Sequence, residues 1–555
     1  MSRATEKPNK SHTGIAFHHP LAFWAGTFAI MGGVLIGMPE FFSQSARKYQ
    51  IVGLDLTPIE FLGFFMILGG LAAAVYGLFP RKETFAAMKE AGAKIGGYHF
   101  RAMDDAPLTR AHYWLLFVLG VALIIDVMKP ASLGFSIPGI KKEYGISTAR
   151  AAIFPFAALT GTTIGSFLWG MLADRLGRRA AILLASLMFM ATATCSLMPA
   201  FQINVGMCFV MGLSAGGMLP IVYALMAESV PAKKRGWLVV LHGGMGTVGG
   251  FLAASGATAL LVPHFGWRIL WFLNLPTGAI LLILNRWIPE SPRFLLERGL
   301  VNEAGHVTAR YGVILERTAP GVASTGVDPI LNGGAHGSLA GLGKLFRQPH
   351  LGQTVTVGLY GLGWGLVNWG FLTFLPTILD DIGLQGKSAS SLLFLGALLS
   401  IPGTVLVSYM YGMWSTKKSM IIFALATSLT LVGFATLNPA GPGRGWVLTL
   451  LVAALLVTSG GVIAMLSPYT AEVYPTTLRG TGSGLAAGSS KLGGILGPPV
   501  AAAVLSFFPG IGGTALVAAV PISLAGVVVG LKGVETRGRR LEEISSGGKA
   551  AKERV

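Results

Sequence analysis

The sequence predicts an all-α membrane protein in which two pseudo-symmetric six-helix bundles follow two N-terminal transmembrane helices, fourteen in all. Composition is the first support. The 555 residues are 52% hydrophobic and 12% charged, with a mean hydropathy of +0.64 and 77 glycines, outside the range of soluble chains. The second is that apolar runs of the roughly 20 residues a helix needs to cross the hydrocarbon recur along the chain. They lie near 20–42, 59–79, 112–137, 150–173, 179–199, 203–227, 237–262, 268–287, 354–379, 389–413, 418–438, 445–471, 480–508 and 513–531. The third is a duplicated box, AESVPAKKRG at Ala227–Gly236 and AEVYPTTLRG at Ala471–Gly480, 244 residues apart. Both copies fit A-E-x-x-P-x-x-x-R-G and close an apolar run with a Gly pair at matching positions, Gly216-Gly217 and Gly460-Gly461. Lipid offers backbone amides no partners, so helices are expected, and barrel-type alternation is absent.

In chain order, residues 1–111 form an extension with two spans. The first span is not a cleaved signal peptide: its uncharged core, Pro20–Met38, is too long, and Trp24 reads as an interface anchor. After the second span, Phe85, Met88 and Ile95 recur at helical spacing beside Lys89 and Lys94, the pattern of a basic amphipathic helix on the membrane surface. Residues 112–288 hold six spans, 289–353 a cytosolic loop, 354–531 six more spans and 532–555 a cytosolic tail. The loop opens with helix-capable PRFLLERGL and becomes a Gly- and Ala-rich linker from Thr318 to Gly343. Glycines at Gly246 and Gly250, and at Gly480, Gly484 and Gly488, let helix backbones approach closely; sliding of helices during transport is the functional alternative.

Charge sets orientation. Of 42 Lys and Arg, 31 lie on the side of the N-terminus, 8 on the other, and Lys129, Arg286 and Lys491 inside spans, which places both termini in the cytosol. The net charge of +18 is then a topology signal and an attraction to anionic lipid. With no soluble basic domain, nucleic acid is not a partner. Cys195 and Cys208 lie in apolar runs and read as buried free thiols. Gly386-Lys387-Ser388 resembles the tail of a phosphate-binding loop, but Asp381 stands where its first Gly belongs, on the extracytoplasmic side. Accumulation would therefore draw on an ion gradient or on the substrate's own.

Charges inside spans each cost roughly 2.5–3.5 kcal/mol on insertion scales. Asp126 and Lys129, three residues apart, share a helix face, roughly 20–24 Å along their helix from Tyr113 by a rise of about 1.5 Å per residue. They either neutralise one another or serve a proton or a substrate. Lys491 is comparably deep in the eleventh core helix. His242, in the fifth, reads as a packing histidine or a proton relay. Near mid-depth of the seventh, Trp364, Asn368 and Trp369 suit a carboxylate-bearing ring or a sugar, lipid-facing tryptophans being the alternative. Tyr223 and Tyr469 stand where they could close a cavity on its cytosolic side.

GMLADRLGRR, Gly170–Arg179, resembles the signature cytosolic loop of the major facilitator superfamily. PESPRFLLERG, Pro289–Gly299, and VETRGRRLEEI, Val534–Ile544, resemble the loop after the sixth core helix and the C-terminal signature of its sugar-porter branch. With the paired boxes these make five motifs in family order over about residues 112–545, closest to the sugar-porter-like and aromatic-acid:proton symporter branches. The resemblance implies the major facilitator fold, alternating access, and a cytosolic gate at Asp174, Arg175, Arg178, Glu228, Arg235, Glu290, Arg293, Glu472, Arg479 and Glu535. Within the first box Glu228 opposes a helix C-terminus, and Arg235 can hold it across the Pro231 turn; Glu472 and Arg479 repeat the arrangement. Basic residues that merely set topology are the alternative. Two departures stand out: YGMWSTKKSM, Tyr411–Met420, lacks the Asp-Arg of its counterpart, and residues 1–111 are additional to the usual twelve helices.

IIDVMKPASLGF resembles the aromatic-acid symporter pattern of two acids before Gly-Phe, with Asp126 as the first and Lys129 replacing the second. SSKLGGILGPP puts Lys491 where those relatives carry Arg. Two deep cations and one carboxylate favour an anion over a cation. The expectation is a secondary carrier, not an enzyme, that couples uptake of a small organic anion (aromatic or other carboxylate) to protons. Lys129, Asn368, Trp369, Lys491 and Tyr223 would bind substrate, and Asp126 and His242 would handle protons. No cofactor or metal is called for. A sugar or polyol porter is the alternative within transport; a non-transporting ligand sensor, with residues 1–111 as partner or oligomer contact, is the alternative outside it. The expected location is a bacterial inner membrane.

Overall fold

Among the described residues of the computed structural model, thirteen helices are long and apolar enough to cross a membrane. The structure describes residues 19–79, 98–99, 107–313, 316–317, 343–384, 387–437, 443–474 and 476–537. The amphipathic segment expected at Phe85–Ile95, and the linker from Thr318 up to residue 342, lie outside them. A two-residue antiparallel pairing joins Tyr98–His99 to Glu316–Arg317.

The extension is a helical hairpin of α1 (Pro20–Leu35) and α2 (Pro58–Leu78). Thr57 and Glu60 start α2 by a reciprocal capping box, satisfying two amides that helical bonding leaves free. Glycines seven apart form the seam: a Cβ on Gly26 would stand 2.4 Å from the Gly70 carbonyl oxygen, and one on Gly63 2.6 Å from that of Gly33. Only hydrogen at these positions allows the two backbones to meet.

The first bundle comprises α3 (Arg110–Tyr144), α4 (Ile153–Leu176), α5 (Arg178–Ala191), α6 (Phe201–Ala215), α7 (Met218–Ser229), α8 (Ala232–Phe265) and α9 (Asn274–Leu284). In the second, α10 (Leu351–Gly365) runs through a π-helical stretch, Leu366–Leu372, into α11 (Leu375–Asp381). Then come α12 (Lys387–Tyr409), ending in a π-helical turn at Met410–Trp414, α13 (Thr416–Thr436), α14 (Gly445–Val473), α15 (Thr476–Phe507) and α16 (Ile511–Lys532). Both boxes mark helix junctions: α7 gives way to α8 after the Pro231 N-cap, and α14 ends at Val473 three residues before α15 begins.

One expected span differs. The run 203–227 is two helices, broken at Gly216-Gly217, so the count of long apolar helices is thirteen instead of fourteen. Side chains of α4 satisfy carbonyls at the break: Trp169 Nε1 donates to Leu213 O at 2.8 Å, and Ser166 Oγ to Gly216 O at 2.6 Å. At the matching pair, Gly461 meets apolar side chains of Val407 and Phe423 and Gly460 the carbon atoms of the Thr247 side chain, and α14 stays unbroken. The glycine pair is thus permissive, and a donor on the neighbouring helix decides whether the chain breaks.

The bundles meet along α3 against α11, α4 against α15, and α8 against α12 and α14. At Gly134 a Cβ would lie 2.6 Å from the Thr373 carbonyl oxygen, and Ser408 Oγ donates to Trp237 O at 2.7 Å. Below, the end of the molecule carrying Gly170–Arg179 is the motif end.

Candidate substrate site and gates

The deep charges sit where the bundles meet. Asp126 and Lys129 are 6% and 4% exposed. They share a face of α3, yet Lys129 does not pair with Asp126: its Nζ donates to Ser214 Oγ at 3.3 Å and lies over the Phe189 ring. Asp126 Oδ1 is buried without a hydrogen-bond partner, and Pro130, four residues on, has no N–H to give the Asp126 carbonyl. The two make no direct hydrogen bond or ion pair in this structure, although each lies within the other's field. Lys491 of α15 reaches across to the Thr162 carbonyl of α4 at 3.3 Å, and Asp126 feels the charges of both lysines.

A narrow pocket opens beside Lys129, lined by Pro155, Thr162, Met211 and Trp369 among others. Trp369 belongs to the π-helical stretch, and its indole packs against Gly494, where a Cβ would approach it to 2.9 Å. Such a bulge re-aims side chains within a helix and is frequent at functional sites. Asn368 is its neighbour but does not line the pocket; its carbonyl accepts from the N–H and hydroxyl of Thr373, both at 3.0 Å. The Tyr223 hydroxyl stands over Gly243 of α8, within reach of the Asp126 charge. Trp364 Nε1 is buried without a partner.

His242 is elsewhere, bridging α8 and α3: Nδ1 is 2.9 Å from the Leu238 carbonyl oxygen and Nε2 3.0 Å from that of Leu116. Leu116 precedes Asp126 by ten residues, roughly 15 Å of helix, so the two expected proton groups do not touch. Both ring nitrogens face acceptors, and only the imidazolium can donate to both.

At the motif end, the glutamates of the two signature loops do the same work in each half. Glu290 accepts the N–H groups of Arg178 and Arg179 at 2.8 and 3.2 Å, capping the start of α5. Glu535 accepts from the Thr416 N–H at 3.0 Å and from the Ser415 hydroxyl, capping α13. Each places a carboxylate on a positive helix end with unpaired amides. Burial pushes the Glu290 carboxyl up to about 7 against the pull of its N–H donors. Burial also acts upward on the more exposed Glu535, but its hydrogen bonds outweigh it and hold it below the usual range. Both carboxylates, expected at the cytosolic gate, bond within their own bundle in this structure.

Glu472 likewise bonds within its half, to Thr536 Oγ1 at 2.6 Å and the Tyr411 hydroxyl at 3.2 Å. Tyr469 donates nothing to a cavity; its hydroxyl accepts the Val534 N–H at 2.9 Å. Arg175 is exposed, and its carbonyl accepts from Arg298 at 3.0 Å. Arg178 sits 5.9 Å from the Phe294 ring centre. The side chains of Asp174, Glu228, Arg235, Arg293 and Arg479 lie outside the described residues. Arg286, counted inside a span, is exposed at its end against Trp287.

The opposite end carries ion pairs that the sequence reading took only as loop charge. Lys141 of α3 meets Asp381 of α11 at 2.7 Å, and Lys142 meets Asp380 at 3.0 Å, joining one bundle to the other. The signal was available in IKKEY and LDD, opposite charges at equivalent ends of the first helix of each repeat. Next to them Glu143 and Arg268 form a pair at 3.0 Å with side chains 4% and 1% exposed.

The sequence model of the Major Facilitator Superfamily matches residues 115–498. The chain belongs to the major facilitator superfamily. It is a membrane transporter with a small-molecule substrate and not an enzyme. It is 25% identical over 448 residues to the niacin transporter NiaP of Acinetobacter baylyi, covering 80% of this chain and 98% of that one. To the 4-hydroxybenzoate transporter PcaK of Pseudomonas putida it is 28% identical over 454 residues, 78% of this chain and 95% of the other. Its fold resembles that of the proton:xylose symporter XylE, with a TM-score of 0.59 at 20% identity over 79% of this chain and 99% of that one. The transporter's α1–α2 hairpin lies ahead of the matched residues.

Proposed function

We propose that this transporter carries a small organic anion, an aromatic carboxylate, into the cell with protons by alternating access of the two bundles. The supporting observation is the cluster at their junction: Lys129 lining the pocket, Lys491 crossing between bundles, and Trp369 as an aromatic wall. An ammonium and an indole suit a ring bearing a carboxylate. NiaP and PcaK are named for niacin and 4-hydroxybenzoate, both aromatic carboxylates, which favours the same class here. Asn368 and Tyr223 complete the substrate site in this reading.

Asp126, buried with an unpartnered oxygen beside two cations, is the proposed proton carrier; His242 is the proposed second, linking α3 to α8 when protonated. The Lys141–Asp381 and Lys142–Asp380 pairs form an outer gate, closed in this structure. The box and loop charges at the motif end belong to the inner gate. The excess of Lys and Arg there supports cytosolic termini in a bacterial inner membrane, with residues 112–288 and 354–531 as the moving bundles.

Proteoliposomes with an inward proton gradient test this reading. Uptake of benzoate or nicotinate, abolished by collapsing the gradient, is the expected result; uptake of xylose alone would favour a sugar porter. Binding with no flux would point to a sensor.

A further inference from the structure

The hairpin of α1 and α2 contributes two backbone amides to a buried node at the foot of the outer gate. The Glu143 carboxylate accepts from the Ile51 N–H at 2.8 Å and the Val52 N–H at 3.2 Å, both in the loop joining the hairpin helices. It also accepts from Trp267 Nε1 at 2.7 Å and from Arg268 Nε and Nη2 at 3.1 and 3.0 Å. Those donors fill the acceptor sites a carboxylate offers. Arg268 in turn holds the Ser196 and Met198 carbonyls at 3.1 and 3.0 Å, so the node is tied to the first bundle's own framework.

The loop is shaped for this contact. Lys48 and Tyr49 are successive non-glycine residues with φ of 53° and 60°, a costly arrangement kept only where surroundings enforce it. Phe41 enforces it from below, fully buried with its ring 4.7 Å from Phe272 and 5.1 Å from Tyr49. The glycine seam makes the hairpin behind the loop a tightly packed unit. Glu143 directly follows Lys141 and Lys142 in the last turn of α3, which stops at Gly145 with φ 61°.

We infer that the N-terminal hairpin is a clamp on the outer gate: through the Ile51 and Val52 amides it fixes Glu143, and Glu143 fixes the helical turn that presents Lys141 and Lys142 to Asp381 and Asp380. Glu143 is a positioning residue, acting through the lysines beside it. This rests on the proposed alternating access, so the test separates the two.

Spin labels on cysteines at the exposed positions Ala149 and Ile382 flank the gate, and the native Cys195 and Cys208 are buried. Distance distributions of the full chain in liposomes would report the gate. Asp380→Asn with Asp381→Asn tests the gate itself and is expected to populate a longer distance. Glu143→Gln and Val52→Pro, which removes one N–H, are each expected to raise the open-to-closed ratio about tenfold, the scale of one hydrogen bond to a charge. Together they should raise it no more than singly. Val52→Pro keeps the Glu143–Arg268 pair and decides alone if Glu143→Gln does not fold. Unchanged distances in both clamp variants, with the aspartate variant open, would overturn the clamp and leave the gate. An unchanged aspartate variant would overturn the gate and, with it, the clamp.

Discussion

The Lys491 ammonium of α15 donates to the main-chain carbonyl of Thr162 on α4, 3.3 Å away, so a cation of the second bundle rests on backbone of the first. Thr162 also lines the pocket that Lys129 enters. A carboxylate arriving there competes with a neutral carbonyl for the same ammonium, and a charged acceptor wins. Substrate capture would thereby loosen one tie between the bundles.

Lys491→Ala should accordingly weaken the apparent affinity for an aromatic carboxylate about 10- to 100-fold, the range for a charged hydrogen bond, while Lys491→Arg keeps most of it. Initial rates of uptake against concentration in proteoliposomes measure this. An unchanged KM in the alanine variant would remove Lys491 from the substrate site.

Asp126→Asn keeps the shape of the site and removes the carboxylate buried beside Lys129. The expected outcome is loss of accumulation against a gradient, with exchange between equal substrate pools retained. If accumulation still follows pH in this variant, protons travel by another group, and His242 becomes the first to test.

The two caps should respond to pH with opposite sign. The Glu290 carboxyl, raised from 4.5 to about 7, favours the fold when protonated; its contribution is complete below pH 4.5 and is lost as pH rises through 7. The slope is at most about 1.4 kcal/mol per pH unit. Glu535, held low, contributes above its ordinary range and loses that contribution as pH falls through its lowered value. Melting curves of Glu290→Gln and Glu535→Gln against the native protein, from well below pH 4 up to pH 8, would display the contrast. Parallel curves for Glu290→Gln and native protein would remove the Glu290 assignment.

Gly177, which ends α4, and Gly170, inside it, give a paired test within one sequence motif. Gly177 has φ 98°, and a Cβ there would lie 2.3 Å from Glu290 Oε2, whereas nothing stands within 4 Å of a Cβ on Gly170. Gly177→Ala should cost about 1–3 kcal/mol through its backbone alone, with further loss as the cap is displaced. Gly170→Ala should be neutral or gain about 0.4–1 kcal/mol. Thermal unfolding of the two variants in the same detergent compares them directly.

Much of this was legible in the sequence because its signals are local or repeated. Apolar length located every span, and the box marked a helix junction in each half. The break at Gly216-Gly217 was not legible, since identical glycine pairs behave differently and the deciding donors, Ser166 and Trp169, sit on another helix. Depth along α3 correctly made Asp126 and Lys129 neighbours, but helical spacing cannot say that Lys129 turns to Ser214. The capping contacts of Glu290 and Glu535 were likewise not legible, because a carboxylate's partner amides leave no mark in side-chain identity. The Lys141–Asp381 contact joins positions 240 apart, a relation that no window along the chain contains.

The caps at Glu290 and Glu535 bear on how the chain is divided. Each glutamate follows the last helix of its repeat and returns to the third helix of that same repeat, so each half is buttoned shut by its own tail. Cutting the polypeptide between residues 318 and 342 leaves both fastenings on their proper fragments. The pieces, made as separate chains, should therefore each close and then reassemble into a working carrier.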